Sequence, residues 1–226
     1  GYLGDIESIN SIGKKYGITV IDDGIEAFGS EYKGQKLGNV GSDITVFSFQ
    51  TVRLPNTIDG GCIVFNEKVH YEKARLVRDY GIDRAKFRCI DGEINPNYDI
   101  NQPGFGGLMS EFNSLIGIKQ MTEIENLIEI QRQNAKVWSK EISISNCKSL
   151  IINKNVNPNY WIYGILSDNK NETILKFKEN GYYATGVHLN NNKYSVFKNR
   201  SQLKGVEKFM KQFIALPCGW WLNKNL

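Results

Sequence analysis

A repeated succession of amphipathic helix and short, uninterrupted β-branched strand constrains this chain more than any other feature. Residues 5–16 place Ile6, Ile9 and Ile12 at helical spacing, and Gly17 supplies a natural C-cap. Residues 18–21 follow as a β-branched run that closes on the acidic pair Asp22–Asp23. Residues 44–49 form a second such run, and residues 62–65 a third, entered through Gly60–Gly61. Strands that are apolar on both faces must be covered on both faces. The pattern therefore predicts an α/β fold, a mostly parallel sheet with flanking helices. Residues 69–80 read as a further helix stopped by Gly81, and 109–138 as a long helical stretch broken once. Between them, 81–107 is polar, contains Gly and Pro and has no clear period, which predicts a long loop of functional or interface type.

From about residue 145 the character changes. Strand-like segments at 149–152 and 160–166 flank an Asn/Pro turn, 172–180 reads as a helix capped by Gly181, and 182–187 as another strand. A boundary near 142–148 is expected, giving a unit over 1–144 and a smaller α+β unit over 145–226. The 226 residues, 41% apolar and 23% charged with 11 Phe, exclude a disordered chain. No apolar run approaches the roughly 18 residues of a membrane span, and the N-terminus lacks a signal-peptide layout. The expectation is a soluble, cytoplasmic protein. Lys and Arg total 28 against 24 Asp and Glu, scattered along the chain, so the net charge of +4 marks neither a nucleic-acid nor a membrane partner. Cys62, Cys89, Cys147 and Cys218 lie far apart with no C-x-x-C, and the two histidines are His70 and His188. That argues against a zinc site, a disulfide framework or a histidine-rich metal centre.

Ligands of open parallel sheets sit beyond the carboxyl ends of the strands, which is where Asp22 and Asp23 fall. Such a carboxylate can be a helix cap, a solvated anion or the partner of a cationic ring nitrogen, and the residues alone leave all three open. The stretch FSFQTVRLPNTIDGG, residues 47–61, carries one cation, Arg53, on a polar turn before a double glycine where backbone passes close to something. Here too a plain surface turn with a solvated Arg53 stays open. No G-x-G-x-x-G follows a first strand, so a dinucleotide-binding dehydrogenase has little support. His70 reads as a surface or packing histidine, and Cys218 as a small buried apolar residue.

The segments GDIESINSIGKKYGITVIDD, GIEAFGSEYKGQKLGNVGSD, ITVFSF, the FSF…DGG stretch, EKARLVRDYGIDR, GVHLNNNKYSVF and LPCGWWL occur in this order. Together they resemble the DegT/DnrJ/EryC1/StrS family of fold type I nucleotide-sugar aminotransferases, which depend on pyridoxal 5′-phosphate (PLP). The resemblance covers essentially the whole chain. It implies that Asp23 pairs with the pyridinium nitrogen, Glu26 lies against the ring near its 3-hydroxyl, and Ser48 binds the phosphate. It further implies that Asp59, Gly60 and Gly61 form the turn after the cofactor lysine, and that His188, Asn191, Lys193 and Tyr194 form a substrate-side loop. The implied reaction moves an amino group from glutamate to a 4-keto-6-deoxy nucleotide sugar for surface polysaccharide synthesis, in a homodimeric parent. Within the resemblance, Trp220–Trp221 is expected to pack at the domain junction.

Three positions depart from the family pattern. Arg53 stands where the Schiff-base lysine belongs, and the next lysine, Lys68, lies beyond the DGG strand. A lysine amine can deprotonate and attack a carbonyl, whereas a guanidinium does neither at neutral pH. Gly106 replaces an Asn or Lys that reaches the neighbouring subunit's cofactor phosphate, and Asn190 replaces the arginine of the substrate loop. The expected consequence is impaired transamination. The alternatives are a non-catalytic nucleotide-sugar-binding or hetero-oligomer partner of an active paralogue, and a lysine-independent PLP sugar dehydratase. Set against the family's full pattern, the segment between Gly1 and Leu226 reads as internal to a longer protein.

Overall fold

The computed structural model describes residues 1–143, 145–197 and 201–222; the chain end at Leu226 lies outside them. In chain order the elements are α1 (Ile6–Tyr16), β1 (Ile21–Asp23), β2 (Glu31–Tyr32), β3 (Gln35–Lys36), β4 (Ile44–Ser48), β5 (Gly61–Phe65), α2 (Lys68–Arg78) and α3 (Arg84–Phe87). They continue with α4 (Glu111–Met121), α5 (Ile124–Ser143), β6 (Lys148–Ser149), β7 (Val156–Asn157), β8 (Ile162–Leu166), α6 (Lys170–Glu179), a 3-10 turn (Asn191–Lys193), α7 (Lys204–Gln212) and β9 (Phe213–Pro217). Two compact units emerge. One comprises Asp5–Glu26 and Gln35–Thr122, the other Gly1–Gly4, Ala27–Gly34 and Glu123–Leu226.

In the first unit, Asp5 caps α1 by accepting the Ser8 N–H at 3.2 Å, and Gly17 ends it with φ of +64°. The Ile18 N–H is spent on the Gly13 carbonyl at 2.9 Å, so the chain is still closing the helix where the β-branched run suggests a strand. The ladder begins later: the Val20 N–H goes to Asp43 Oδ2 and the Val20 carbonyl accepts from Ile44. Strand β1 therefore starts at Ile21 and includes both aspartates. It pairs parallel with β4, with Asp22 opposite Thr45 and Asp23 opposite Val46. Strand β5 pairs antiparallel with β4, Ile44 opposite Phe65 and Ser48 opposite Gly61. Alternation along β4 buries Thr45 and Phe47, which join Ile6, Leu37 and Leu54 in the interior of this unit.

The 81–107 segment is less irregular than its composition suggests. It contains α3, and Gly106 bridges Asp79 in a short antiparallel contact. Buried Asp79 takes both Nε and Nη2 of Arg84 at 2.8 and 2.7 Å, and this pairing holds its carboxyl below the ordinary range.

The second unit is organised on α5. Trp138, Ala135 and Ile142 pack with Tyr163 and Ile165 of β8, with Ile214 and Leu216 of β9, and with Ala184 and Cys218. Strand β8 pairs antiparallel with both β6 and β9, and β2 pairs antiparallel with β7. The expected strand at 182–187 does not form. Only Thr185 bridges, to Ala215, and Val187 turns to φ of +61°, which takes the chain off the sheet. Thr185 and Ala215 exchange both backbone hydrogen bonds, so the segment touches β9 on the edge away from β8, and β9 ends within the LPCGWWL segment. Trp220 and Trp221 are 44% and 60% exposed and meet edge-on, with ring centroids 6.0 Å apart. Cys218 is fully buried, and burial pushes its thiol up to about 12. His70 is exposed on α2. No helix among the described residues is long and apolar enough to cross a membrane.

Candidate active site

Parallel pairing brings the carboxyl ends of β1 and β4 side by side, so Asp23 and Ser48 end adjacent strands. Just past β1 the chain turns at Gly24, whose N–H donates to the Val46 carbonyl at 2.9 Å. A Cβ at Gly24 would stand 2.9 Å from Leu37 and 3.0 Å from Phe47, so the turn admits no side chain without repacking. The Asp23 carboxylate accepts the Ile25 N–H at 3.2 Å and stays exposed. Asp22, on the opposite face of the strand, keeps Oδ2 buried with no hydrogen-bond partner among the described residues. Burial, followed by the neighbouring charge of Asp23, pushes its carboxyl up. Three residues beyond Asp23, Glu26 meets the turn that leaves β4: its Oε1 lies 3.2 Å from Nη1 of Arg53, with the two side chains 27% and 11% exposed.

That turn is held from two sides. Within it, the Arg53 N–H donates to the Gln50 carbonyl at 2.8 Å, the Thr57 N–H to the Phe49 carbonyl at 2.8 Å, and the Phe49 N–H to the Gly60 carbonyl at 2.9 Å. Ser48 Oγ accepts the Gln50 N–H at 3.4 Å. From outside, Gln120 of α4 grips the turn with both ends of its amide. Oε1 accepts the Asn56 N–H at 2.7 Å and Nε2 donates to the Asn56 carbonyl. Asn113 donates to the Asp59 carbonyl at 3.3 Å, and a Cβ on Gly60 would come within 2.8 Å of Met109 Sδ. Gln120→Ala strands two backbone groups of a half-buried turn, so a loss of about 1–3 kcal/mol is expected. Amide exchange at 56–58 should speed up by a similar free energy, while exchange in β8 and β9 stays unchanged; uniform change in both would refute a local role. Neither Asn56 nor Gln120 is recoverable from the sequence, since they lie 64 positions apart with no motif joining them.

The register also disposes of Lys68. Strand β5 runs back along β4 so that its last residue, Phe65, is opposite Ile44 at the amino end. Lys68 therefore follows the strand end farthest from Ser48 and Arg53, and residues 48–61 contain no lysine. Gly106 has its own constraint: a Cβ there would meet Tyr80 Oη, on the residue after its bridge partner Asp79.

The other proposed contacts, His188, Asn191, Lys193 and Tyr194, belong to the second unit. The Lys193 N–H donates to the Asn190 carbonyl at 3.0 Å and the Tyr194 N–H to the Asn191 carbonyl at 3.0 Å, which shapes the 3-10 turn. With Val206 and Met210 of α7, His188, Asn191 and Tyr194 line a cleft of about 640 Å³; Lys193 is not in its lining. Asn190 Oδ1 and Asn192 Oδ1 are buried and accept no hydrogen bond among the described residues.

Residues 1–225 match the DegT/DnrJ/EryC1/StrS aminotransferase family, and the chain belongs to that family. Its fold is that of the fold type I, PLP-dependent sugar aminotransferases. It is 27% identical over 228 residues to the UDP-4-amino-4,6-dideoxy-N-acetyl-beta-L-altrosamine transaminase of Campylobacter jejuni, covering 97% of this chain and 58% of that protein. Among solved structures, AtS13 from Actinomadura melliaura superposes with TM-score 0.90 at 26% identity, over 99% of this chain and 61% of that one. The sugar aminotransferase CalS13 from Micromonospora echinospora shares the fold at TM-score 0.90 and 24% identity, over 100% of this chain and 62% of that one. The chain thus spans about three-fifths of the length of these relatives.

The Asp23 carboxylate is the kind of acceptor that suits a protonated ring nitrogen of PLP, and the Ser48 hydroxyl the kind of donor that suits its phosphate. The turn does not suit its aldehyde. PLP acts as an electron sink once an amine carries it, and here the turn offers a guanidinium ion-paired to Glu26. The residues present do not fit covalent retention of the cofactor.

Proposed function

We propose that this chain carries the ligand-binding frame of a nucleotide-sugar aminotransferase whose transamination is lost or severely impaired. One observation carries the reading: Arg53 stands on the site turn, ion-paired to Glu26 at 3.2 Å, where the family's chemistry needs a free amine. Asp23, Glu26 and Ser48 are the proposed cofactor contacts, and His188, Asn191, Lys193 and Tyr194 the proposed substrate contacts. The parent activity would take a 4-keto-6-deoxy nucleotide sugar and glutamate as amino donor, in a homodimer in the cytoplasm. The same ion pair favours the second reading, a non-catalytic nucleotide-sugar-binding partner of a lysine-bearing paralogue, over a lysine-independent dehydratase. Arginine is too weak a base to stand in for one at neutral pH. Incubated with PLP, reduced with borohydride and analysed by mass spectrometry, the chain should gain no site-specific adduct, while UDP- or dTDP-sugars should bind it measurably by calorimetry. A single stoichiometric lysine adduct would overturn the reading.

A further inference from the structure

A small cavity in the second unit lies between α5 and strands β6 and β8, encloses about 240 Å³, and shares no lining residue with the cleft beside His188. Three tyrosines wall it. Tyr160 and Tyr163 stack with ring centroids 6.1 Å apart and planes at 19°, and Tyr2 meets Tyr160 edge-on at 5.8 Å. Tyr2 Oη accepts the Gly164 N–H at 2.9 Å, which ties that ring to β8. Tyr160 is placed there against its own backbone preference: its φ of +54° lies in the left-handed region, uncommon for a bulky side chain. Buried Asn159 enforces it. The Asn159 N–H donates to Ser30 Oγ at 2.9 Å and Nδ2 to the Phe28 carbonyl at 3.0 Å. Its Oδ1 accepts the Trp161 N–H at 2.9 Å, and its carbonyl accepts from Gln131 Nε2 at 2.7 Å. Backbone held this way persists only where the surroundings over-determine it, and such residues cluster where ligands bind.

The polar groups around these rings are mostly hydroxyls. Ser149 Oγ and Tyr163 Oη share a hydrogen bond at 2.7 Å. Tyr160 Oη, Ser139 Oγ and Lys136 Nζ also border the cavity and make no hydrogen bond among the described residues. Burial raises the Tyr2 and Tyr160 phenols, so both keep their protons at neutral pH. Each hydroxyl can donate and accept, and Lys136 is the one ionised side chain in the lining. A ligand matched to this surface carries hydroxyls of its own, an apolar face for an aromatic ring and no strong charge. The volume lies below the about 300–1,000 Å³ of pockets that take drug-sized molecules, so it is too small for a nucleotide sugar and suits a single ring. We propose that this cavity is a carbohydrate site separate from the substrate loop, taking one neutral pyranose with its C–H face on Tyr160 and its hydroxyls on Ser139, Ser149 and Lys136. The site goes beyond the proposed function, since neither Arg53 nor the 188–194 loop contributes to it.

Amide NMR spectra of the 226-residue chain, titrated with D-glucose, N-acetyl-D-glucosamine and L-fucose, test this. At least one of the three should shift the amides of residues 136–139, 149–152 and 160–163, with a dissociation constant of about 1–10 mM, the range expected for so small a ligand. Tyr160→Gly removes the ring at a backbone conformation that glycine adopts freely, so the unit should stay folded and binding should weaken at least about tenfold. Ser139 is exposed on α5, where alanine is the better helix former; Ser139→Ala should keep the fold and weaken binding about threefold or more. If Tyr160→Gly loses its fold by circular dichroism, Ser139→Ala alone decides. UDP should neither shift these amides nor displace the sugar. The proposal is overturned by a titration in which none of the three sugars shifts these amides, by shifts centred on 188–194, by affinity indifferent to the folded variants, or by displacement with UDP. Failure of UDP- or dTDP-sugars to bind would defeat the proposed function and leave this result unchanged, and a silent titration would leave the PLP result where it stands.

Discussion

Arg53→Lys combined with Glu26→Gln should convert a chain that takes up no PLP covalently into one that does, read as a visible absorption band and as a borohydride-stable mass increase at position 53. The single substitution Arg53→Lys should do this much less well. A lysine on that turn would inherit the Glu26 carboxylate that now lies 3.2 Å from the guanidinium. An adjacent anion in a partly buried site favours the ammonium form and raises its pKa. Only the neutral amine condenses with an aldehyde, and each unit of pKa is about a tenfold change in its population near neutral pH. The double variant should therefore form the adduct at least about tenfold faster than Arg53→Lys at pH 7, and the gap should narrow as pH rises toward 10. Equal rates for the two variants would mean that Glu26 does not control the new amine. A Lys68 adduct in the unsubstituted chain would defeat the register argument, which puts that residue at the opposite end of β4.

Trp138→Ala should remove a large share of the second unit's stability. The indole is 4% exposed and donates Nε1–H to the Pro217 carbonyl at 2.8 Å. It also meets Tyr182 and Phe177 edge-on, with ring centroids 5.0 and 5.9 Å away. Removing a buried indole costs about 3–5 kcal/mol, against about 5–15 for a whole domain. At about 4 °C per kcal/mol, the melting midpoint of this unit should fall by at least about 12 °C. Trp138→Phe keeps a ring in place but leaves the Pro217 carbonyl without its donor, so it should cost about 1–3 kcal/mol, less than Trp138→Ala. Cys218 gives a local readout. Its buried thiol, pushed up to about 12, should resist alkylation at pH 8 in the parent chain and react readily in Trp138→Ala. A midpoint within about 3 °C of the parent would show that α5 is not the organising helix of this unit.

Much of the architecture was legible because it rests on local chemistry. The α1 cap at Asp5 and stop at Gly17, the strands at 44–49 and 62–65, and the single break in the long helix all depend on residues within a few positions of one another. Where the reading failed, a distant partner decided. The run at 18–21 has strand propensity throughout, yet Ile18 N–H closes α1 and Asp43, 23 positions on, takes Val20 N–H. The 182–187 segment reads as a strand, but Val187 turns to a positive φ and Thr185 keeps a single bridge, to Ala215 of β9. Nor does propensity announce that β5 runs antiparallel to β4, which is a matter of the turn at 49–60 and its grip by α4.

The sequence by itself determined the family, the α/β class and the loss of a lysine from the site turn, because these are written in residue identity and order. Tertiary structure alone decided what that loss amounts to. It set Glu26 against Arg53, put Lys68 out of reach at the far end of an antiparallel strand, and fastened the turn through Gln120. Each of those outcomes depends on the register between strands and on a helix laid across a loop, contacts that join positions 13 to 64 residues apart and that no local pattern encodes.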